Sequence, residues 1–563
     1  MVYHLFVRSI VIDNIKYKRP PKGRMSLYAA ILGLVGSLIF VYIQNFNTVN
    51  TLVTFNNPKI KYDTYTVTFE ESVPVEYKAL AQENVKDMVF NKQERFKFVD
   101  EKADITIQSE KTDNNVEVLS ETLIPVGHLY SLKTVTDEDD IKAMSVYVLS
   151  DTYINFIKDQ YGINAQKIEN VDALVAKMKE SDSNVGLVTY ADLNFSMKIL
   201  KVGDQYYLDN HDAGIHIRFY ASLAEGVDSF ILDILKKNIS TDSSVPDTES
   251  LLKLNMSGVV AISRDLGAKM NSLKNYDYPA EKLGSFLADA TLTHVSNEAS
   301  FIDDCVINTG MRFCSKAEYL ETLTASGVDI VELTGNHNND YGSDGNAESI
   351  GKLATLGMKY FGGGLNNEDA SKILYEEVNG TTLAFIGYNW YDTTYKTGAI
   401  AWSEKPGANE YSEEKMAANI VEANANADIV IVDFQFQECY SYPDGDVVYP
   451  ICYKPLSNPD QKGVFRKAVD LGANIVIGTQ AHQPQTYELY GDGVIYYGLG
   501  NLYFDQWNWI GTRQGMILTH YFDSGKYINT KLTPIYMDRS LQPNLATDAQ
   551  ADQLLKSLKT ARD

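Results

Sequence analysis

Residues 333–342 read LTGNHNNDYG and follow the strand-like run VDIVEL. Asn336-His337 at a strand end offers a carbonyl oxygen and an imidazole to whatever lies beyond the sheet edge. Both are ligand types for divalent metals, and imidazole is also the commonest general base. Within the same stretch, Gly342 permits a positive φ and Asp340 can cap the next turn. Other chemistries lack their signatures. The sequence has no P-loop, no nucleophile-elbow serine and no C-x-x-C pair. The formal net charge of −24 argues against a nucleic-acid partner, because phosphate binding needs a basic face.

Three further segments stand in order with the first: VSNEAS (295–300) before it, IGTQAHQPQ (477–485) and YGLGNLYFDQ (497–506) after it. Together the four resemble the CapA-type proteins of capsule and poly-γ-glutamate synthesis. That family carries a metallophosphoesterase-like domain with the patterns N-x-E, A/N-N-H-x-x-D-Y-G, G-x-H-x-H-x-x-Q and Y-S-L-G-N-x-x-F-D. The resemblance covers about residues 252–540. It implies a layered αββα domain and a two-metal centre, whose cations sit about 3.5–4 Å apart.

Carried over residue by residue, the resemblance makes Glu298, Asn336, His337 and His482 the candidate metal ligands. His337 and His482 become the candidate catalytic groups. Three expected ligands are missing. Val259 stands at the Asp of the first strand, and Gln480 at the first His of H-x-H. In FQFQE, aligned on Glu438, Phe434 stands at the His of H-W-G-x-E. Val and Phe cannot bind a metal, and Gln offers only a neutral oxygen. The expected cofactor is therefore none or one divalent metal, with no two-metal centre. Arg264, matching a basic position after the first strand, is a candidate anion contact. Asn297, Asp340 and Asn501 are further cleft candidates, and Asp505 is a candidate for positioning the cleft or its loop.

The positioning elements are legible in the periodicity. Val/Ile-rich runs such as LNMSGVVAIS (254–263), DIVIVDFQF (428–436) and NIVIGTQAH (474–482) end in polar or Gly residues, several following a helical pattern. That is the grammar of an α/β fold, whose sites collect at the carboxyl ends of strands. DAQADQLLKSLKTARD predicts a helix within the C-terminal segment 541–563. Residues 59–245 alternate strands and helices as well. Through DSNVGLVTYADLNFSMKILKVGD (182–204) they resemble the two-lobed, periplasmic-binding-protein-like module found in some family members.

At the N-terminus, Met25–Ile43 is almost wholly apolar. Its nineteen residues would span roughly 28 Å as a helix, close to the hydrocarbon core. Six basic residues, Arg8 to Arg24, precede it against Asp13. The positive-inside rule then keeps residues 1–24 cytoplasmic. Residues 25–44 become an uncleaved anchor, 45–58 a polar stalk, and the bulk of the chain extracytoplasmic in a single-pass cell-membrane protein. The four cysteines allow three connectivities. The simplest pairs Cys305 with Cys314 and Cys439 with Cys452.

Three functions are compatible with these residues. The resemblance implies an accessory to synthesis, export or anchoring of an extracellular polymer, beside polymer synthase or export proteins. A residual one-metal phosphoester or polymer hydrolase is the second. A surface protein binding an anionic polymer or a small solute through 59–245 is the third.

Overall fold

The computed structural model describes residues 63–85, 88–90, 94–239, 250–392, 396, 398–436 and 459–562. The expected anchor, stalk and Cys439–Cys452 pair lie outside these residues, as does Glu438. Among the described residues, no helix is long and apolar enough to cross a membrane.

The chain divides into two compact units. The described part of the smaller comprises 63–68, 85, 88–90, 94–106 and 223–227, where residues 63–67 pair in parallel with Glu94–Phe98. The described part of the larger comprises 69–84, 107–222, 228–239, 250–392, 396, 398–436 and 459–562. Within it, residues 116–222 build a mixed sheet over a core that includes Ile124, Val126, Leu174 and Met197.

From residue 251 onward two sheets face each other. The first runs, in spatial order, Lys359–Phe361, Ile330–Glu332, Leu292–Asn297, Leu251–Val260, Gln514–Asp523, Lys526–Met537 and Pro543–Leu545. Its first four strands are parallel and the rest antiparallel. The second runs Leu374–Val378, Thr381–Asn389, Ile429–Gln435, Ile475–Thr479, Gly493–Leu499 and Pro484–Tyr490, parallel except at its two edges.

Alternation along the strands divides the apolar residues between layers. Leu254 and Met256 of one sheet meet Phe385, Ile431 and Ile477 of the other in the central layer. Val430, Val432 and Val476, one residue out of phase, face the opposite way and pack on Met416, Ile420, Phe465 and Ala468. Those four belong to helices Glu413–Asn426 and Gln461–Asp470. Ser412 and Asp460 cap the two helices by accepting from the amides of Lys415 and Gly463, which satisfies donors the first turn leaves free. On the outer face of the first sheet, Leu266, Leu287, Leu323 and Leu353 cover it from four further helices. The order is helix, sheet, sheet, helix, as the resemblance implies. The amphipathic segment near the C-terminus forms helix Asp548–Arg562, and Leu558 O accepts from Thr486 Oγ1 at 2.8 Å.

The first strand meets Asn501–Tyr503 only because its backbone has no side chain at one point. A Cβ on Gly258 would collide with the carbonyl of Gly500, itself a glycine at φ +76°. That approach sets Val259 opposite Asn501 in the register.

Candidate functional site

The parallel strands of both sheets end on one side, as the geometry of such sheets requires. Leu292–Asn297 delivers Glu298, Ile330–Glu332 delivers Asn336 and His337, Ile429–Gln435 delivers Gln435, and Ile475–Thr479 delivers Gln480 and His482. Asn336, His337, Gln480 and His482 line one cleft of about 610 Å³ together with Arg264 and Asp505. Glu298 lies beneath it, fully buried.

Gln435 organises the floor. Thr479 Oγ1 donates to its Oε1 at 2.8 Å, which fixes the amide so that Nε2 faces the other way. There Nε2 donates to Asn336 Oδ1 at 3.0 Å, to Glu298 Oε1 at 3.3 Å and to Gln480 Oε1. The site-facing residue of this strand is thus Gln435, which corrects the placement of Phe434. Phe434 points into the helix-covered layer, 4.8 Å from the Phe465 ring. A slip of one residue sends a strand side chain to the opposite face. Gln435, one residue beyond Phe434, holds the site-facing position on this strand.

The two histidines are held by their Nδ1 atoms. His337 Nδ1 lies 2.7 Å from Asp340 Oδ2, which also accepts from the Phe313 amide at 2.7 Å. The His337 ring packs against Phe313 at a tilt of 38°, centroids 4.1 Å apart. His482 Nδ1 lies 2.9 Å from Asn501 Oδ1, and its Nε2 is 3.9 Å from Glu298 Oε2. Burial holds the His482 imidazole below its ordinary pKa, against the pull of the Glu298 carboxylate. Asp340 and Asn501 therefore position the imidazoles rather than face a ligand. Asn297 is corrected too: it is fully buried and donates to Ala299 O at 2.9 Å, away from the cleft.

Arg264 is not a free anion contact. Its guanidinium lies over the Phe313 and Phe504 rings, 4.7 Å from each centroid. It donates to both oxygens of Asp505, from Nε at 3.0 and 3.2 Å and from a terminal nitrogen. Asp505 also accepts from the Asp265 amide at 2.8 Å, at the first turn of helix Arg264–Leu273. Two non-glycine residues of the cleft occupy the left-handed region, Arg264 at φ +46° and Gln480 at φ +80°. Such conformations cost about 1–3 kcal/mol each and persist where the surroundings over-determine them. The expected Cys305–Cys314 disulfide is formed and closes the loop bearing Met311 and Phe313 at the rim.

These residues do not fit a two-cation centre. The Gln435 NH₂ stands where two candidate ligand oxygens converge, within hydrogen-bonding distance of Glu298 Oε1 and Asn336 Oδ1. Val259 packs in an apolar cluster with Ala261, Ala299, Phe313 and Phe504. Among the described residues, no group of three or more His, Cys, Asp or Glu is placed to hold a metal ion. Gln435→Leu tests the floor directly. It strips the buried Glu298 carboxylate of its amide donor and should lower stability by about 2 kcal/mol in urea titration. An unchanged midpoint would mean the amide does not hold the floor together.

The fold and cleft define a layered α/β domain whose strand ends carry amides at positions suited to metal ligands. Residues 253–506 match the family model described as bacterial capsule synthesis protein PGA_cap, so the chain carries a domain of that CapA-type family. Capsule biosynthesis protein CapA of Bacillus anthracis is 29% identical over 261 residues, covering 46% of this chain and 57% of its own. PGA biosynthesis protein CapA of Bacillus subtilis (strain 168) is 31% identical over 219 residues, covering 39% of this chain and 53% of its own. The chain thus spans a little over half the length of these relatives. A solved ABC-type phosphate transport receptor from Vibrio cholerae covers 32% of this chain and 95% of its own. Its identity is 10% and its TM-score 0.24, too slight a likeness to carry a function.

Sequence reasoning missed Gln435 and the aromatic rim. It also missed a sealed cluster beneath the strand ends. His294 Nε2 lies 3.0 Å from Asp433 Oδ2, and both residues are fully buried. Glu332, equally buried, accepts from Ser296 Oγ at 2.5 Å and from the Thr334 amide at 2.6 Å. Burial, then the nearby Asp433 carboxylate, push the Glu332 pKa up to about 7. Burial also raises Asp433, with His294 opposing.

Proposed function

We propose that this chain is an extracytoplasmic accessory protein in the production of a capsule-type polymer such as poly-γ-glutamate, without a two-metal centre. Residues 25–44 would anchor it in the cell membrane, leaving its bulk outside beside a polymer synthase or exporter. The observation that carries this reading is the capsule-synthesis family domain at 253–506, joined to a floor closed by the Gln435 amide. The names of both relatives point to capsule or PGA biosynthesis, and the sequence has no ligase motif of its own. Disrupting the gene should remove surface-attached polymer, and expressing the full chain in trans should restore it. Unchanged surface polymer would refute the role.

The convergence of His337 and His482 on one cleft favours a second reading, a residual hydrolase with one of them as general base. It requires phosphodiesterase or polymer-cleaving activity that His337→Ala abolishes.

A further inference from the structure

We infer that the Cys305–Cys314 disulfide assembles the His337 wall of the cleft, so that the wall forms only in an oxidised chain. Tying that step to export rests on the extracytoplasmic placement proposed above.

Residues 303–314 form neither helix nor strand. They join the short strands Phe301–Ile302 and Ser315–Lys316, which pair in parallel. Most of this loop is exposed, Val306 and Met311 included, so burial does little to order it. Its end is nevertheless buried, Phe313 and Cys314 being 2% exposed each. The disulfide supplies the missing order. It closes a separation of nine residues, and Cys314 adjoins Phe313 in the chain.

What the loop touches is the segment that carries His337. The Phe313 amide donates to Asp340 Oδ2 at 2.7 Å, the same oxygen that holds His337 Nδ1. The Phe313 ring contacts both the His337 ring and the Arg264 guanidinium, at 4.1 and 4.7 Å. Arg312 donates to Asp340 O from Nε at 3.1 Å and from a terminal nitrogen. Asn308 Nδ2 donates to Tyr341 Oη at 2.8 Å. The two sulfurs pack with Ile302, and Tyr341 lies against that cluster. The loop and residues 337–341 therefore hold each other, and the disulfide ties the pair to the strands beside it. Without that tie, a freed loop gains conformational entropy by releasing Phe313.

The order of events follows from burial. In thiol–disulfide exchange, one cysteine thiolate attacks a disulfide oxidant, and the second cysteine then displaces the mixed disulfide. Two electrons and two protons leave the chain, and the oxidant departs as two thiols. Cys305 is 5% exposed and Cys314 2%, so in the finished fold neither sulfur is open to this attack. Oxidation thus precedes packing of the loop, and the packed wall then resists reduction. In a reducing compartment the chain keeps its sheets but not the His337 wall.

Hydrogen exchange of the detergent-solubilised full chain, read by mass spectrometry, tests this. Cys305→Ser combined with Cys314→Ser is compared with wild type. Exchange at Phe313, Asp340 and Gly342, whose amides are hydrogen-bonded in the closed wall, should rise about tenfold or more. Strands Leu292–Asn297, Ile429–Gln435 and Ile475–Thr479 should be unchanged. Phe313→Ala, with the disulfide intact, should also raise exchange at Asp340 and Gly342, which places the coupling in that ring. As a check without substitutions, wild type refolded from denaturant in reduced glutathione should match the serine variant. Refolding in oxidised glutathione should restore protection. Unchanged exchange in the serine variant would overturn the inference, as would an equal rise across the three strands. Thiol alkylation in intact cells reads the compartment separately. Cys305 and Cys314 should be blocked, and free thiols there would refute the outside placement while the exchange data still decide the wall.

Discussion

Asp505→Ala should destabilise the larger unit by about 3–5 kcal/mol, the cost of removing one partner of a buried, hydrogen-bonded ion pair. The Asp505 side chain is 3% exposed and that of Arg264 16%, so solvent cannot take over the lost contacts. The carboxylate accepts one bifurcated bond from Nε, another from a terminal nitrogen, and one from the Asp265 amide. Its loss leaves a guanidinium between two phenyl rings with no counter-charge. The control is Arg264→Met combined with Asp505→Leu. Replacing both partners by apolar groups should cost less than Asp505→Ala alone, because no uncompensated charge remains. Urea midpoints of the two variants decide this, and equal losses would show that the pair contributes shape rather than charge.

Glu332→Gln should make the protein more stable at pH 8 by about 3 kcal/mol, and change little at pH 4. The sign follows from the raised pKa. In the folded chain Glu332 holds its proton to about pH 7, whereas an unfolded Glu releases it near its ordinary value of 4.5. Between those values the folded state binds more protons than the unfolded, so stability falls as pH rises through the window. Above it the whole penalty is present. Gln cannot ionise, and its amide can donate to Ser296 Oγ while its oxygen still accepts from the Thr334 amide. The wild-type slope between pH 4.5 and pH 7 should therefore flatten in the variant. A variant less stable than wild type at pH 8 would mean the carboxylate is charged and matched where it lies.

Much of this site was readable because its signals are local. Asn336-His337 follows its strand by a few residues, and a strand end in a parallel sheet has one place to point. Glu298 and His482 obey the same logic, and the structure puts them within 3.9 Å of each other. Where the reading failed, the cause was register or distance. Phe434 and Gln435 are neighbours in sequence but lie on opposite faces of a pleated strand. Choosing between them needs the exact end of the strand, and Glu438, used as the anchor, lies beyond it. The Arg264–Asp505 pair joins residues 241 apart. His294, Glu332 and Asp433 come from strands of two different sheets, and each looks alone like an ordinary polar residue in a Val/Ile run. Their meeting is a property of the sheet stacking.

The central proposal is that the amide-closed floor holds no two-metal centre. Metal analysis of the purified full chain by plasma mass spectrometry, after dialysis against buffer without chelator, tests it most directly. The account predicts at most one equivalent of divalent metal, lost on dialysis. Two equivalents of retained manganese, iron or zinc per chain would contradict it.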